Sequence, residues 1–177
     1  MKKHGLLAAV LILALSTGLS AAGSSADKPG MQVFGDLGLA VSDFEGLFFD
    51  AGFQYGFSPK LFGEFLFEYY FSPAGSGIDS SAWGLNVNGV YKHGLSDGLS
   101  LFGKAGVCLI HTSASVVFMG TKISASDSDI GFNAGGGVEY ALSENMGLRG
   151  GATFKISFAE GETGTFFKLY AGFFYGL

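Results

Sequence analysis

Two groups of residues have types and spacing suited to chemistry: His111-Thr112-Ser113, and a set of charged side chains falling at alternate positions along the chain. A histidine two residues from a serine can take the hydroxyl proton and make the serine oxygen a nucleophile, provided a third group orients the ring. Glu139 is a poor third member, because it is expected at the opposite end of its segment from His111. A histidine capping a strand at a membrane surface is the plainer reading. His93 reads as a turn residue, and no two His or Cys stand at metal-ligand spacing. The glycines recur inside extended segments, not at a strand-to-helix turn, so there is no phosphate loop. Cys108 is the sole cysteine and permits no internal disulfide, so it reads as a small packing residue. The expectation is no catalytic set, no metal and no cofactor.

The charged set is better organised. Asp36, Asp50, Glu64, Glu68 and Glu139 balance Lys92, Lys104, Arg149, Lys155 and Lys168. All ten fall on one side of eight segments that alternate with period two, near residues 31–41, 47–57, 61–71, 82–92, 99–110, 130–140, 146–156 and 165–177. Successive side chains of a strand point to opposite faces. The other face of each segment reads Leu37, Leu39, then Phe53, Phe65, Leu85, Leu101, Phe132, Leu148 and Leu169, with their neighbours of the same parity. It carries no charge, amide or aliphatic hydroxyl.

Composition decides which face is outside. Hydrophobic residues make up 48% of the 177 and charged residues 14%, where soluble domains carry about a quarter charged. A soluble barrel with the apolar face inward would have too little polarity outside to stay dissolved. A membrane barrel puts the apolar face against lipid and the charges in its lumen. It also pairs every backbone group within the hydrocarbon. Strands of about eleven residues suit a tilted crossing. The predicted fold is therefore an all-β, closed, eight-stranded antiparallel up-and-down transmembrane β-barrel. The aromatic content excludes a disordered chain, and the net charge of −5 argues against a nucleic-acid partner.

Residues 1–22 have the pattern of a cleaved signal peptide: Lys2 and Lys3, an apolar run from Leu6 to Leu15, and small residues at Ser20-Ala21-Ala22. The run is too short to span a membrane as a helix. Residues 23–30 then form a periplasmic linker and 31–177 the barrel. Compact joins at Ser58-Pro59-Lys60, Gly94 to Gly98 and Leu142 to Asn145 place those turns and both termini in the periplasm. Trp83, Tyr69 and Phe71 are expected in the outer aromatic girdle, and Tyr55, Tyr91, Tyr140 and Tyr175 in the inner one.

The C-terminal segment from Phe167 to Leu177 is apolar or aromatic at every second position, with Phe173, Tyr175 and Leu177 at its end. It resembles the assembly signal of bacterial outer-membrane barrels, although that signal usually ends in Phe or Trp. Residues 31–177 resemble the small OmpA/OmpX-like barrels, often grouped as porin-family or outer-membrane β-barrel domain proteins. The resemblance implies location in the bacterial outer membrane and recognition by the barrel assembly machinery. It also implies contact with outer-membrane lipid and lipopolysaccharide, and a monomer with no peptidoglycan-binding domain. OmpA-like barrels carry an acid–base network in the lumen, and Glu64, Lys104, Glu139 and Arg149 look like its counterparts. His111 and Ser113 resemble the His-x-Ser motif of PagL-type lipid A deacylases.

From parity, the lumen charge network comprises Asp36, Asp50, Glu64, Glu68, Lys104, Glu139, Arg149, Lys155 and Lys168. Lys168 is placed to reach Asp36 or Asp50. Phe34, Phe62, Phe102 and Phe174 are expected to plug the periplasmic end, while inward glycines such as Gly52 and Gly84 leave some space. The outer connections hold Asp43, Glu45, Asp79, Asp127, Asp129, Glu160 and Glu162 against Lys122, an acidic rim. Val116 to Met119 are expected to extend the hairpin of the fifth and sixth strands. The functional expectation is a non-enzymatic barrel with a structural or surface-interaction role. The alternatives are a narrow porin-like channel and a PagL-like hydrolase.

Overall fold

The computed structural model describes residues 30–42, 46–71, 79–118, 121–159 and 162–177. The leader and nearly all of the linker lie outside these residues. Eight strands follow in chain order: β1 (Met31–Ser42), β2 (Gly46–Gly56), β3 (Leu61–Tyr70), β4 (Asp79–Ser96), β5 (Leu99–Phe118), β6 (Thr121–Ala141), β7 (Met146–Ala159) and β8 (Glu162–Gly176). Each pairs antiparallel with its chain neighbours, and β8 returns to β1 from Gln32↔Gly176 to Ser42↔Phe166, closing the barrel. Closure leaves no strand edge inside the bilayer, the condition for crossing hydrocarbon with strands.

The faces divide as the alternation predicts. Leu37, Phe53, Leu101, Phe132 and Leu169 are exposed on the outside, while Asp36, Glu64, Glu68, Lys104, Arg149, Lys155 and Lys168 are buried inside. Ring contacts reinforce the outer belt of β2 and β3, where Phe49 lies 5.9 Å from Tyr69 and 6.1 Å from Phe71.

The short turns, at the end of the barrel where both termini lie, are stabilised by local chemistry. Ser58 Oγ accepts from the amide of Leu61 at 3.1 Å, and Ser143 Oγ from that of Met146 at 3.2 Å. The β4–β5 turn is Asp97-Gly98, where Gly98 takes φ +80°, a value that favours glycine. The join expected over Gly94 to Gly98 is thus shorter, because β4 runs on to Ser96 through a register irregularity between Gly94 and Ser96.

At the outer end β4, β5 and β6 all exceed the predicted segments. The β5–β6 pairing continues from Leu109↔Ile130 up to Phe118↔Thr121. The expected hairpin extension is present, although Met119 lies outside the described residues. The strands outrun the alternation because the apolar-outward pattern ends where the membrane ends, while backbone pairing continues.

Candidate functional site: the charged lumen

The lumen side chains fall into three tiers. In the outer tier Lys155 and Lys168 both donate to Glu68, which also accepts from the Tyr70 hydroxyl at 3.0 Å. Lys168 reaches across to Asp50 at 2.9 Å, and Lys155 donates to Asn86 Oδ1 at 2.7 Å. In the middle tier Glu64 accepts from Gln54 at 2.8 Å, Asn88 at 2.7 Å and Lys104 at 3.1 Å. Arg149 lies 3.6 Å from Glu64 and 3.5 Å from Asp36. In the tier nearest the termini Lys92 donates to Glu139 at 2.7 Å and to Gln32 at 2.9 Å. Buried charges demand this pairing, since one left alone in a low-dielectric interior costs several kcal/mol.

Aromatic rings pack between and around the tiers. The Arg149 guanidinium carbon sits 3.9 Å from the centre of the Phe34 ring, and Lys168 Nζ lies 4.0 Å from that of Phe48. Five lumen phenylalanines each stand opposite a glycine in the pairing register: Phe34–Gly52, Phe48–Gly38, Phe62–Gly56, Phe102–Gly137 and Phe174–Gly147. A methyl group on Gly52 would lie 2.7 Å from Phe34 Cζ, and one on Gly137 2.8 Å from Phe102 Cζ. The glycines are seats for the rings. The space expected at Gly52 is filled by Phe34, and a methyl on Gly84 would lie 3.1 Å from Glu68 Oε2.

Of the residues singled out from sequence, Asp50, Glu68, Lys155 and Lys168 meet in the outer tier, and Asp36, Glu64, Lys104 and Arg149 in the middle one. Lys168 pairs with Asp50 of its two expected partners. Glu139 does not join the middle tier. Although it stands beside Arg149 in the register, its ion pair is with Lys92, nearer the end where the termini lie. Phe34 and Phe102 are buried, and Phe62 is packed against the core cluster. Phe173 and Leu177 are exposed on the outer surface. Lys92, on the inward face with the other nine charges, joins the network, as do the inward Gln32, Gln54, Asn86 and Asn88. A second set of rings, Phe48, Tyr70 and Phe166, sits at the outer end, where the sequence offers the same inward parity as its cue and no plug was expected.

His111 and Ser113 are not brought together. His111 Nδ1 lies 2.8 Å from Ser128 Oγ, and Ser113 Oγ 3.0 Å from Ser81 Oγ. The His111 ring lies 5.2 Å from that of Trp83. Among the described residues no group of three or more His, Cys, Asp or Glu is placed to hold a metal ion.

A closed eight-stranded barrel with an apolar exterior and a charged lumen is an outer-membrane architecture. Residues 8–173 match the family model of the outer membrane protein β-barrel domain, and the chain belongs to that family, in the bacterial outer membrane. No curated protein sequence matches it. Among solved structures it is similar to Neisserial surface protein A, with TM-score 0.67 and 17% identity over 87% of this chain and 99% of that one. It is also similar to the N-terminal β-barrel domain of Pseudomonas aeruginosa OprF, with TM-score 0.63 and 11% identity over 85% and 99%. A de novo designed transmembrane β-barrel matches at TM-score 0.56 and 19% identity over 87% and 100%. At such identities the likeness is one of fold, and a designed barrel sharing it underlines that function must be argued from side chains.

Proposed function

We propose that the protein is a packed, non-conducting and non-enzymatic barrel of the outer membrane, monomeric, with a structural or surface-interaction role. The observation that carries this reading is the lumen. Charges are paired across it in three tiers, with phenylalanines toward the periplasmic end and a second group of rings at the outer end. A water path through it would have to break ion pairs and displace rings seated on glycines. Absence of a catalytic role is favoured by His111 and Ser113 taking different hydrogen-bond partners. Phe173, Tyr175 and Leu177 are the segment proposed to be read by the barrel assembly machinery.

The test is planar-bilayer conductance of the refolded protein. The expected record is a baseline without steady unitary currents. Steady large currents would replace this reading with the channel. The narrow-channel alternative has one observation in its favour: Gln54 Oε1, Asn88 Oδ1 and the Arg149 nitrogens make no hydrogen bond within the protein despite their burial. These polar atoms line the middle tier, where small waters would be stabilised.

A further inference from the structure

The three strands that outrun the ring are not equally covered. β5 is paired on both sides as far as Ser115, with Asp79 of β4 and with Ser124 of β6. β6 is paired with β5 from Thr121 on, while its pairing with β7 begins only at Ile130↔Phe158. β7 ends at Ala159, which pairs with Glu162 of β8. Among the described residues no strand pairs with the β7 side of β6 over residues 121–129, and residues 123–128 are all exposed.

In an antiparallel ladder alternate residues turn their N–H and C=O groups to opposite sides, so about half of the backbone groups of this stretch point to the open side. Such an edge is a template for another strand, and proteins blunt it with a proline, a bulge or a short length. Residues 121–129 contain no proline, and their register with β5 runs without a shift.

The side chains specify what fits there. Asp127 and Asp129 share the inward parity of the buried Asn133, as do Ile123 and Ala125. Asp127 Oδ1 accepts from the Ser128 amide at 2.8 Å, which holds the carboxylate on the edge strand. Ala125 stands opposite Ala114, and a depression of about 390 Å3 is lined by Thr112, Ser113, Ala114, Ala125, Ser126 and Asp127. The charges of β4, β5 and β6 above the ring are Asp79, Asp127 and Asp129 against Lys122, with Asp79 two strands from the edge. A second copy of this chain would bring an edge of the same negative sign, whereas a cationic strand would complement it.

We propose that the open edge of β6, residues 123–129, is a strand-addition site for an extended basic segment of a partner protein. The segment runs antiparallel to β6, above the β7–β8 turn, and its main chain continues the sheet. Its alternate Lys or Arg side chains stand beside Asp129 and Asp127, at the cross-strand spacing of about 4.5–5.5 Å between Cβ atoms. The next side chain of that row settles over Ala125 and Ala114. This deepens the surface-interaction part of the proposed function and does not depend on the packed lumen, so it fails separately from the conductance result.

The test titrates fluorescent ten-residue peptides against the refolded protein in a nonionic detergent. One peptide alternates Lys with Thr, a second has Glu for Lys, and a third is the Lys peptide N-methylated along its backbone. The Lys peptide should bind about tenfold more tightly than either control and should slow hydrogen exchange of the amides of residues 123–129. Asp127→Lys with Asp129→Lys should remove the preference for Lys over Glu. Should that double variant fail the heat-dependent gel shift of a folded barrel, Asp127→Lys alone, at an exposed position, is read the same way. Equal binding of the N-methylated peptide would reduce the site to charge and overturn strand addition. Failure of the Lys peptide to bind, or equal binding of the Lys and Glu peptides, would also overturn it. Protection of the same amides by raised protein concentration alone would give the edge to a second copy instead.

Discussion

The same three strands, β4, β5 and β6, carry opposite patterns along their length. Within the membrane their outward side is apolar and their inward side holds Asn86, Asn88, Lys104 and Asn133, all buried. In the two rows above it their outward positions are Trp83, His111 and Ser128, then Ser81, Ser113 and Ser126, while Asp127 and Asp129 of β6 fall on the inward side. The backbone pairing is continuous through the change. Antiparallel pairing thus specifies two faces but not which is polar; the medium against each stretch decides that. Errors on either face should therefore be costly inside the hydrocarbon and nearly free above it.

The largest effect is expected in the lumen. Glu68 is fully buried and holds Lys155, Lys168 and Tyr70 together. Glu68→Ala leaves two ammonium groups without their shared acceptor and should destabilise the barrel by about 3–5 kcal/mol. Urea unfolding of the protein in lipid vesicles checks this, followed through Trp83, the sole tryptophan. An unchanged midpoint would mean that the outer tier does not hold the barrel together.

The next test moves to the lipid side. Phe132 is 60% exposed on the outer surface, on a strand that also runs above the membrane. Phe132→Arg, two outward positions below Ser128, should cost about 1–3 kcal/mol, between the values for the interface and the midplane. The same unfolding measurement applies, and a cost near zero would put Phe132 outside the hydrocarbon and undo the contrast.

Why the fold was legible, and the site only in part, follows from the same contrast. Apolar-outward alternation is a consequence of hydrocarbon, so Leu37, Phe53 and Phe132 reveal the spanning strands and their inward partners directly. Beyond Leu109 and Ile130 that cue stops, so the alternation alone ends both segments there, and of the stretch above it only Val116 to Met119 are expected in a hairpin, although residues 111–118 and 121–129 pair as strands throughout. Partner choice in the lumen was out of reach for another reason. Parity places Glu139 inside but does not say that Lys92, two strand pairings away around the ring, will reach it before Arg149 does. That depends on stagger and side-chain length, which no single strand encodes. The ring seats were equally hidden, because a phenylalanine and its glycine lie on different strands and become partners only once the register is known.

A smaller effect is expected where the lumen opens at the end that carries the termini. The Lys92–Glu139 pair keeps 11% and 7% side-chain exposure, against 1% and 0% for Lys155 and Glu68. Water can solvate the group left behind, so Lys92→Ala should cost about 1.5–3 kcal/mol, the range for hydrogen bonds to charged groups. It should cost less than Glu68→Ala in the same urea series. The reverse order would mean that the periplasmic end is the tighter seal.

The smallest effect sharpens the comparison most. Ser126 lies on the same strand as Phe132 and on the same outward side, three outward positions further from the membrane centre. Ser126→Arg introduces the same guanidinium as Phe132→Arg, on the same backbone pairing. It lies above the hydrocarbon, so it should change stability by no more than about 0.5 kcal/mol. The two variants differ only in the medium their side chains meet, and the gap between them in one unfolding experiment measures that difference directly. A penalty at position 126 approaching that at position 132 would place the bilayer surface above the row of Ser81, Ser113 and Ser126. Those hydroxyls would then be submerged, and the change from apolar to hydroxyl on the outward face would no longer mark the edge of the membrane.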